Sequence, residues 1–156
     1  MITFNHEGEG RRYIKSMLRC IYRIEGLDGI GPYGGCSVGF NVDDNGDLDR
    51  IAMAHVENEH PCLSEDFDGF EIDTYWYSGF YKLGDLYNWF KGWFGVLEEA
   101  GYRIVEYRVP EEWIRVGSSG LQVIFNREIA GVRVVRSRKI SNFLKMGKKR
   151  IFSNRN

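Results

Sequence analysis

Residues 83–109, LGDLYNWFKGWFGVLEEAGYRIVEYRV, change from one repeating pattern to another at Gly101. Before this glycine, apolar residues recur every three or four positions, which predicts one amphipathic helix over residues 83–100. A glycine directly after a helix favours the left-handed conformation that ends it. Residues 102–109 are rich in β-branched and aromatic side chains and predict a strand. We expect the apolar stripe of the helix to pack in the core; it consists of Leu86, Trp89, Phe90, Trp93, Phe94 and Leu97.

Further short strands are predicted on both sides of this helix, where alternating or β-rich segments are bounded by turn residues. They lie at residues 16–25, 74–81, 113–116, 121–125 and 132–135. Short strands joined by tight turns pair in antiparallel fashion. The predicted fold class is therefore α+β, with a mostly antiparallel sheet, one main amphipathic helix and a basic C-terminal tail.

Residues 37–56 predict a β-hairpin. The segments SVGFNV at 37–42 and LDRIAMAHV at 48–56 both alternate, and Asn45-Gly46 between them is typical of a tight hairpin turn. Asn41, Asp43 and Asn45 also match the first places of a calcium-binding loop. The twelfth place, however, is Ala52 instead of the glutamate ligand, so the hairpin is the better interpretation.

Acidic and basic residues are segregated along the chain. All 22 acidic residues lie at or before Glu128, whereas 9 of the 21 basic residues follow Val132 and 12 precede it. The body thus carries a formal charge of −10 and the remainder +9. We predict a single domain over residues 1–135, with 1–18 as an N-terminal extension, and a basic tail over 136–156. The acidic segment 43–73 and the tail are both candidate contact surfaces.

Several classes of protein are excluded at this point. No apolar run reaches the ~20 residues that a membrane span needs, and residues 1–10 lack the apolar centre of a signal peptide, so we expect a cytoplasmic protein. Cys20, Cys36 and Cys62 have no Cys-x-x-Cys spacing, and His55 and His60 would point to opposite faces of a strand. No disulfide, metal site or cofactor is therefore predicted, and the common catalytic motifs are missing.

The chain resembles a scattered group of short uncharacterised phage and prophage proteins. The resemblance covers most of the body, from Tyr22 to about Arg133, and implies no known activity. It is carried by Tyr-Arg-Ile-Glu at 22–25, Gly-Ile-Gly-Pro-Tyr at 29–33, His-Pro at 60–61, Ser-Gly-Phe at 78–80, the Leu/Trp-Phe helix at 86–90 and Gln-Val-Ile-Phe at 122–125.

The order of these elements is also similar to the ADP-ribosyltransferase fold. That resemblance implies that Arg23 would hold the phosphates of NAD and that Tyr77 and Ser78 would line the nicotinamide pocket. Gln122 would stand where the family has its catalytic Glu. A neutral amide stabilises a developing oxocarbenium charge poorly, so the resemblance leaves catalysis in doubt.

The leading functional hypothesis is a phage or mobile-element accessory protein that binds a host protein or ribonucleoprotein and interferes with it in the host cytoplasm. An ADP-ribosyltransferase-like enzyme using NAD is the alternative, and Gln122 favours binding over catalysis. The tail combines cations with a few apolar residues, which suits contact with phosphates or with a carboxylate-rich partner. The predicted partner-binding residues are Arg136, Arg138, Lys139, Lys145, Lys148, Lys149 and Arg150.

Overall fold

The computed structural model describes residues 17–33, 51, 54–55 and 60–145. Within these residues, six strands form two antiparallel sheets. The first has the order β1-β3-β6 and the second β2-β5-β4. The strands are β1 (Leu18–Glu25), β2 (Trp76–Gly79), β3 (Arg103–Pro110), β4 (Ile114–Val116), β5 (Val123–Asn126) and β6 (Arg133–Lys139). The predicted α+β fold class with antiparallel sheets is confirmed.

The first sheet is the middle layer of the fold, because apolar residues alternate to both of its faces. On one face, Ile24 and Ile104 pack with Leu86, Phe90 and Phe143 from the helical segments. On the other face, the core is made with the second sheet by Ile21, Val105, Tyr107, Val109, Ile114, Val123 and Phe125. Helices, first sheet and second sheet are thus stacked in three layers.

The two sheets are joined where β2 meets β1. The backbone N–H of Tyr22 donates to the carbonyl of Phe80 at 2.8 Å, and the N–H of Phe80 donates back to Tyr22 at 2.8 Å. Gly79 allows this approach, since a Cβ built there would lie 2.9 Å from the carbonyl oxygen of Tyr22. Any side chain at this position would force the strands apart.

The helix predicted over residues 83–100 is two helices. They are α2 (Leu83–Trp89) and α3 (Phe94–Glu99), and a shorter helix, α1 (Leu63–Asp66), precedes them in the chain. The break falls at Gly92, whose φ of +89° is incompatible with a continuous right-handed helix. The apolar stripe still faces the core, because Leu86, Trp89, Phe90 and Leu97 are buried on both sides of the break.

The prediction of a second hairpin strand at residues 48–56 is wrong. Residues 51, 54 and 55 are helical, and Ile51 and His55 are buried. The alternation of LDRIAMAHV fits a strand, but residues spaced by three and four positions also fit one face of a helix. Tertiary packing selects the helix. The first predicted strand, residues 37–42, and the Asn45-Gly46 turn lie outside the described residues.

The fold continues beyond the predicted tail boundary. Arg136 lies inside β6, and residues 140–145 are helical, with Ile140 and Phe143 buried in the core. The predicted boundary at residue 136 therefore falls inside a strand, and core residues follow that strand. Local composition suggested a tail because most side chains of this strand are charged, whereas its backbone pairs with β3.

Candidate functional site

A buried ion pair lies at the end of β1, where the chain enters the loop of residues 26–33. The Nε of Arg23 donates to Oε2 of Glu25 at 2.9 Å, and the two residues are 7% and 6% exposed. Nη1 of Arg23 also donates to the carbonyl of Ser78 at 2.7 Å, and Nη2 donates to the carbonyl of Gly29 at 3.4 Å. Burial lowers the pKa of Arg23, and the carboxylate of Glu25 opposes that shift.

Tyr107 on β3 completes this polar network. Its hydroxyl donates to both oxygens of Glu25, at 2.9 Å and 3.0 Å. Burial, reinforced by the negative charge of Glu25, raises the pKa of Tyr107 to about 12. Tyr107 is therefore a hydrogen-bond donor at neutral pH and cannot act there as a base.

Two guanidinium groups contact the ring of Tyr77 on β2. Cζ of Arg23 and Cζ of Arg127 are each 4.8 Å from the centre of this ring, within the range of cation–π contacts. Arg127 borders an open cleft of about 350 Å³ beside the network. The cleft is lined by Glu25, Leu27, Asp28, Gly29, Tyr107, Arg127, Val132, Arg133 and Val134.

Three of the residues implied by the ADP-ribosyltransferase resemblance lie together. Arg23 and Tyr77 are in cation–π contact, and Nη1 of Arg23 lies 3.5 Å from Oγ of Ser78. The guanidinium of Arg23, however, is buried and paired with Glu25. It has little capacity left for the phosphates of a dinucleotide.

Gln122, the fourth of these residues, belongs to a different polar cluster. Its Nε2 donates to the carbonyl of Pro61 at 2.9 Å and to Oδ2 of Asp66 at 3.2 Å. Asp66 also accepts from the backbone N–H of Ser119 at 2.7 Å and from the Ser118 and Ser119 hydroxyls. The amide of Gln122 thus helps to hold α1 against the turn between β4 and β5, which is a structural role.

The strand β6 presents a basic surface. Its seven residues are Arg133, Val134, Val135, Arg136, Ser137, Arg138 and Lys139, and all of them are exposed except Arg136, which is half-buried. Among the strands of the described residues, β6 ends the order β1-β3-β6 and is therefore an edge strand. We call this strand, with its four cations, the basic edge.

The strand register places further charges beside the basic edge. Arg108 on β3 is paired with Arg133, and Glu106 is paired with Arg136. The carboxylate of Glu106 is 5% exposed and lies 3.7 Å from both Arg108 and Arg136. One buried carboxylate therefore serves two arginines, and the surface keeps an excess of positive charge.

The remaining predicted contact residues follow the basic edge in the chain. Lys145 is exposed in the helical segment of residues 140–145. Lys148, Lys149 and Arg150 lie outside the described residues.

A family model describes most of this chain. The model for the bacteriophage T4 Y00F protein family matches residues 16–140. The chain belongs to the bacteriophage T4 Y00F protein family. No curated protein and no solved structure matches the chain significantly.

The Y00F match runs from the residues before β1 to the first residue after β6. It therefore includes both the network around Arg23 and the basic edge, and it agrees with the predicted likeness to uncharacterised phage proteins. Of the helices in the described part of this Y00F protein, none is long and apolar enough to cross a membrane.

The buried His55 and the partly exposed His60 are in contact, contrary to the prediction that their rings point apart. The centres of the His55 and His60 rings are 4.6 Å apart, and the backbone N–H of His60 donates to the carbonyl of the helical His55 at 3.0 Å. His60 stacks on Trp89 at 4.2 Å. Tyr33 accepts a hydrogen bond from Nε1 of Trp89 at 2.7 Å and makes a second one with Nδ1 of His55.

The surroundings of His55 and His60 favour the neutral form of both rings. Burial, with a smaller contribution from His60, lowers the pKa of His55 to about 4, and burial also lowers the pKa of His60. Within residues 17–33, 51, 54–55 and 60–145, no group of three or more His, Cys, Asp or Glu could hold a metal ion. Cys20 and Cys62 are free thiols.

The sequence argument missed three residues of the network around Arg23, namely Glu25, Tyr107 and Arg127. The sequence did contain a signal for Glu25. Ile21, Arg23 and Glu25 occupy every second position of β1, so their side chains lie on the same face of the strand. Charged residues in line with a core isoleucine indicate a buried pair. Tyr107 and Arg127 could not be found in this way, since they are brought to the site by other strands.

Proposed function

We propose that this phage protein is an accessory protein that binds a host protein or ribonucleoprotein and interferes with it, and that the basic edge is its contact surface. The observation that carries the proposal is the position of four cations on β6, which lies at the edge of its sheet among the described strands. The side chains of Arg133, Arg138 and Lys139 are exposed on this strand, where a negatively charged partner can approach them.

The charge of the remaining surface supports the same assignment. The acidic residues all precede β6, so the chain has a negative body and a positive end. A partner with clustered carboxylates or phosphates gains most by approaching the basic edge and loses by approaching the body. Electrostatic complementarity of this kind sets the orientation and the rate of association more than the affinity.

Affinity capture from host lysate tests the proposal with the full chain as bait. A double variant, Arg133→Gln with Lys139→Gln, removes two exposed cations of the basic edge. The control, Lys91→Gln with Arg115→Gln, removes two exposed cations elsewhere. We expect the first variant to lose the captured partner and the control to keep it, and we expect capture to weaken with salt because such contacts are screened.

A truncation that tests the tail must leave the folded part of the chain intact. Deleting residues 136–156 would remove half of β6 together with the buried Ile140 and Phe143, so loss of binding would report unfolding. A chain that ends at Lys145 keeps those residues and removes only the cations that follow. If the shortened chain and the β6 variant both capture the partner as well as the full chain does, the contact surface lies elsewhere and the proposal is wrong.

The ADP-ribosyltransferase-like alternative has two contacts in its favour, those of Arg23 with Tyr77 and with Ser78. The pairing of Arg23 with Glu25 and of Gln122 with Asp66 favours binding over catalysis. Incubation of the purified protein with NAD, followed by measurement of released nicotinamide, tests the alternative. Release above that of an Arg23→Met variant with verified folding would support an NAD-dependent enzyme.

A further inference from the structure

We infer that the open cleft beside the Arg23 network binds a single carboxylate of the partner, and that Arg127 is the residue that holds it. This inference rests on the proposed function and names the group that the partner contributes. The cleft adjoins the basic edge, because Arg133 and Val134 at the start of β6 are part of its lining. A partner that lies on the basic edge therefore reaches the cleft as well.

Arg127 is held in position by the strands around it. It follows β5 directly, and its backbone N–H donates to the carbonyl of Tyr75, the residue before β2, at 3.2 Å. Its guanidinium lies over the ring of Tyr77, with Cζ 4.8 Å from the ring centre. An arginine over an aromatic ring can still use its planar fork of N–H groups for a carboxylate, and an ordered side chain loses little entropy on binding.

The loop of residues 26–33 is shaped around the same guanidinium. Gly29 has a φ of +79°, and a Cβ built there would overlap with Nη1 of Arg127. The loop is closed by its own hydrogen bonds. The N–H of Gly26 donates to the carbonyl of Ile30 at 2.8 Å, and Oδ1 of Asp28 accepts from the N–H of Ile30 at 2.9 Å. The guanidinium and the loop beside it are thus already arranged in the chain without a partner.

The charges around the cleft favour an anion with one negative charge. Arg127 and Arg133 line it, together with the carboxylates of Glu25 and Asp28. Because Glu25 is paired with Arg23, three cations stand against two carboxylates, and one positive charge is in excess. A carboxylate neutralises this excess and fits the fork of an arginine with two hydrogen bonds. A phosphate group carries up to about two negative charges and would be repelled more strongly by Glu25.

The remaining lining of the cleft suits the aliphatic part of an acidic side chain. Leu27, Val132 and Val134 contribute apolar groups, and Leu27 and Val134 are 83% and 53% exposed. The volume of about 350 Å³ is sufficient for one side chain and its neighbouring backbone. Residues that surround an anchoring contact exclude water from it, and these apolar groups can serve that purpose when a partner covers them.

A short capped peptide, with one glutamate between two valines, is a direct probe of this cleft. Three further peptides separate the possibilities. One has glutamine in place of the glutamate, one has phosphoserine, and one has glutamine with a free C-terminus as its only carboxylate. Each is added to the full chain, and binding is followed by NMR at the Nε–H of Arg127 and at the backbone amides of Gly29 and Val134.

We expect the glutamate peptide to shift these three signals with a dissociation constant on the order of millimolar, as suits a small ligand. The glutamine peptide should bind about tenfold more weakly, because it lacks charge-assisted hydrogen bonds. The peptide with the free C-terminus shows whether a terminal carboxylate replaces the side chain. Arg127→Gln should lose binding, and Arg127→Lys should lose most of it, since lysine keeps the charge without the planar fork. Lys91→Gln is the control and should bind as the wild type does.

A pair of glycine variants tests the position of Arg127 while its charge is kept. Gly29→Ala would displace Nη1 of Arg127, whereas Gly69→Ala introduces the same backbone strain, at a φ of +78°, with no described atom within 4 Å of the new Cβ. We expect the first variant to bind the glutamate peptide more weakly and the second to bind it normally. Urea unfolding of both variants separates a loss of binding from a loss of folding.

Four outcomes would overturn the inference: equal binding of the glutamine peptide, full binding by Arg127→Lys, tighter binding of the phosphoserine peptide, or unchanged signals of Arg127 and Gly29. The last outcome includes a cleft that is filled by another segment of the chain. The lysate experiment separates the two levels of the proposal. If the β6 variant loses the host partner but the peptide leaves Arg127 unchanged, the function stands and the cleft inference fails. If the peptide binds but capture survives in the β6 variant, the cleft binds a carboxylate and the basic edge is not the contact surface.

Discussion

The hydroxyl of Tyr107 donates to both carboxylate oxygens of Glu25, whose other partner is the guanidinium of Arg23. Tyr107 and Glu25 are 82 residues apart in the chain and meet because β1 and β3 are neighbours. The hydrogen bonds satisfy a carboxylate that would otherwise be costly to bury. This network links the two sheets through the contact of Arg23 with Ser78.

Replacing Glu25 with glutamine should strongly destabilise the fold. The substitution leaves the buried guanidinium of Arg23 without its counter-charge, and breaking a buried pair in this way costs about 3–5 kcal/mol. Urea unfolding measures the loss. The exposed Glu128→Gln variant is the control and should change stability by less than about 0.5 kcal/mol. A double variant, Arg23→Met with Glu25→Leu, should recover most of the loss, and failure to do so would show that more than charge is involved.

Replacing Gly79 with alanine should separate β2 from β1. The added Cβ would lie 2.5 Å from Cγ2 of Ile21 and 2.9 Å from the carbonyl of Tyr22, so one strand has to move. Overpacking of this kind costs about 1–3 kcal/mol. Gly95→Ala in α3 is the matched control, because nothing lies within 4 Å of its Cβ position and alanine is the better helix former. Thermal unfolding should show opposite shifts for the two variants.

Changing Gln122 to glutamate distinguishes the structural role of this residue from a catalytic one. A glutamate cannot donate to the carbonyl of Pro61 and would face the carboxylate of Asp66. We expect a loss of at least about 1–3 kcal/mol, the cost of unsatisfied buried groups. The exposed Asn142→Asp variant should be almost neutral. If Gln122→Glu instead keeps its stability and releases nicotinamide from NAD, the enzyme alternative gains support.

Stability should fall as the pH is lowered through the range set by His55. Its pKa is lowered to about 4 in the folded protein, against about 6.5 for an unperturbed histidine, so the unfolded chain binds more protons between these values. The contribution of His55 is complete above about pH 6.5 and is lost as the pH falls toward 4. Denaturant unfolding across this range measures the slope.

Carboxylates titrate in the same range, so the comparison with a His55→Gln variant is decisive. The variant should show a smaller change of stability between about pH 6.5 and 4 than the wild type, while His60 still contributes in the same direction. Identical slopes for the two proteins would mean that His55 is accessible to protons in the folded state.

The sequence by itself determined the fold class, most of the strands and the segregation of charge. These properties are local: alternation identifies a half-buried strand, and a count of charged residues needs no coordinates. It also identified the core-facing stripe of residues 83–100, of which Trp89 and Phe90 are buried. The predicted strands at β1 and β3 agree with the observed ones to within two residues at each end.

Only the tertiary structure determined which segments pair and which side chains come into contact. The pattern of residues 48–56 fits a strand and a helix equally well, and packing of Ile51 and His55 in the core selects the helix. Ser78, which accepts a hydrogen bond from Arg23, is 55 residues away from it, and Pro61, which accepts one from Gln122, is 61 residues away. Pairing with β3 also places the cations of β6 on a strand and not in a free tail, and this pairing sets Arg136 opposite Glu106. Contacts between distant segments are set by the arrangement of the sheets, and no local period in the sequence encodes that arrangement.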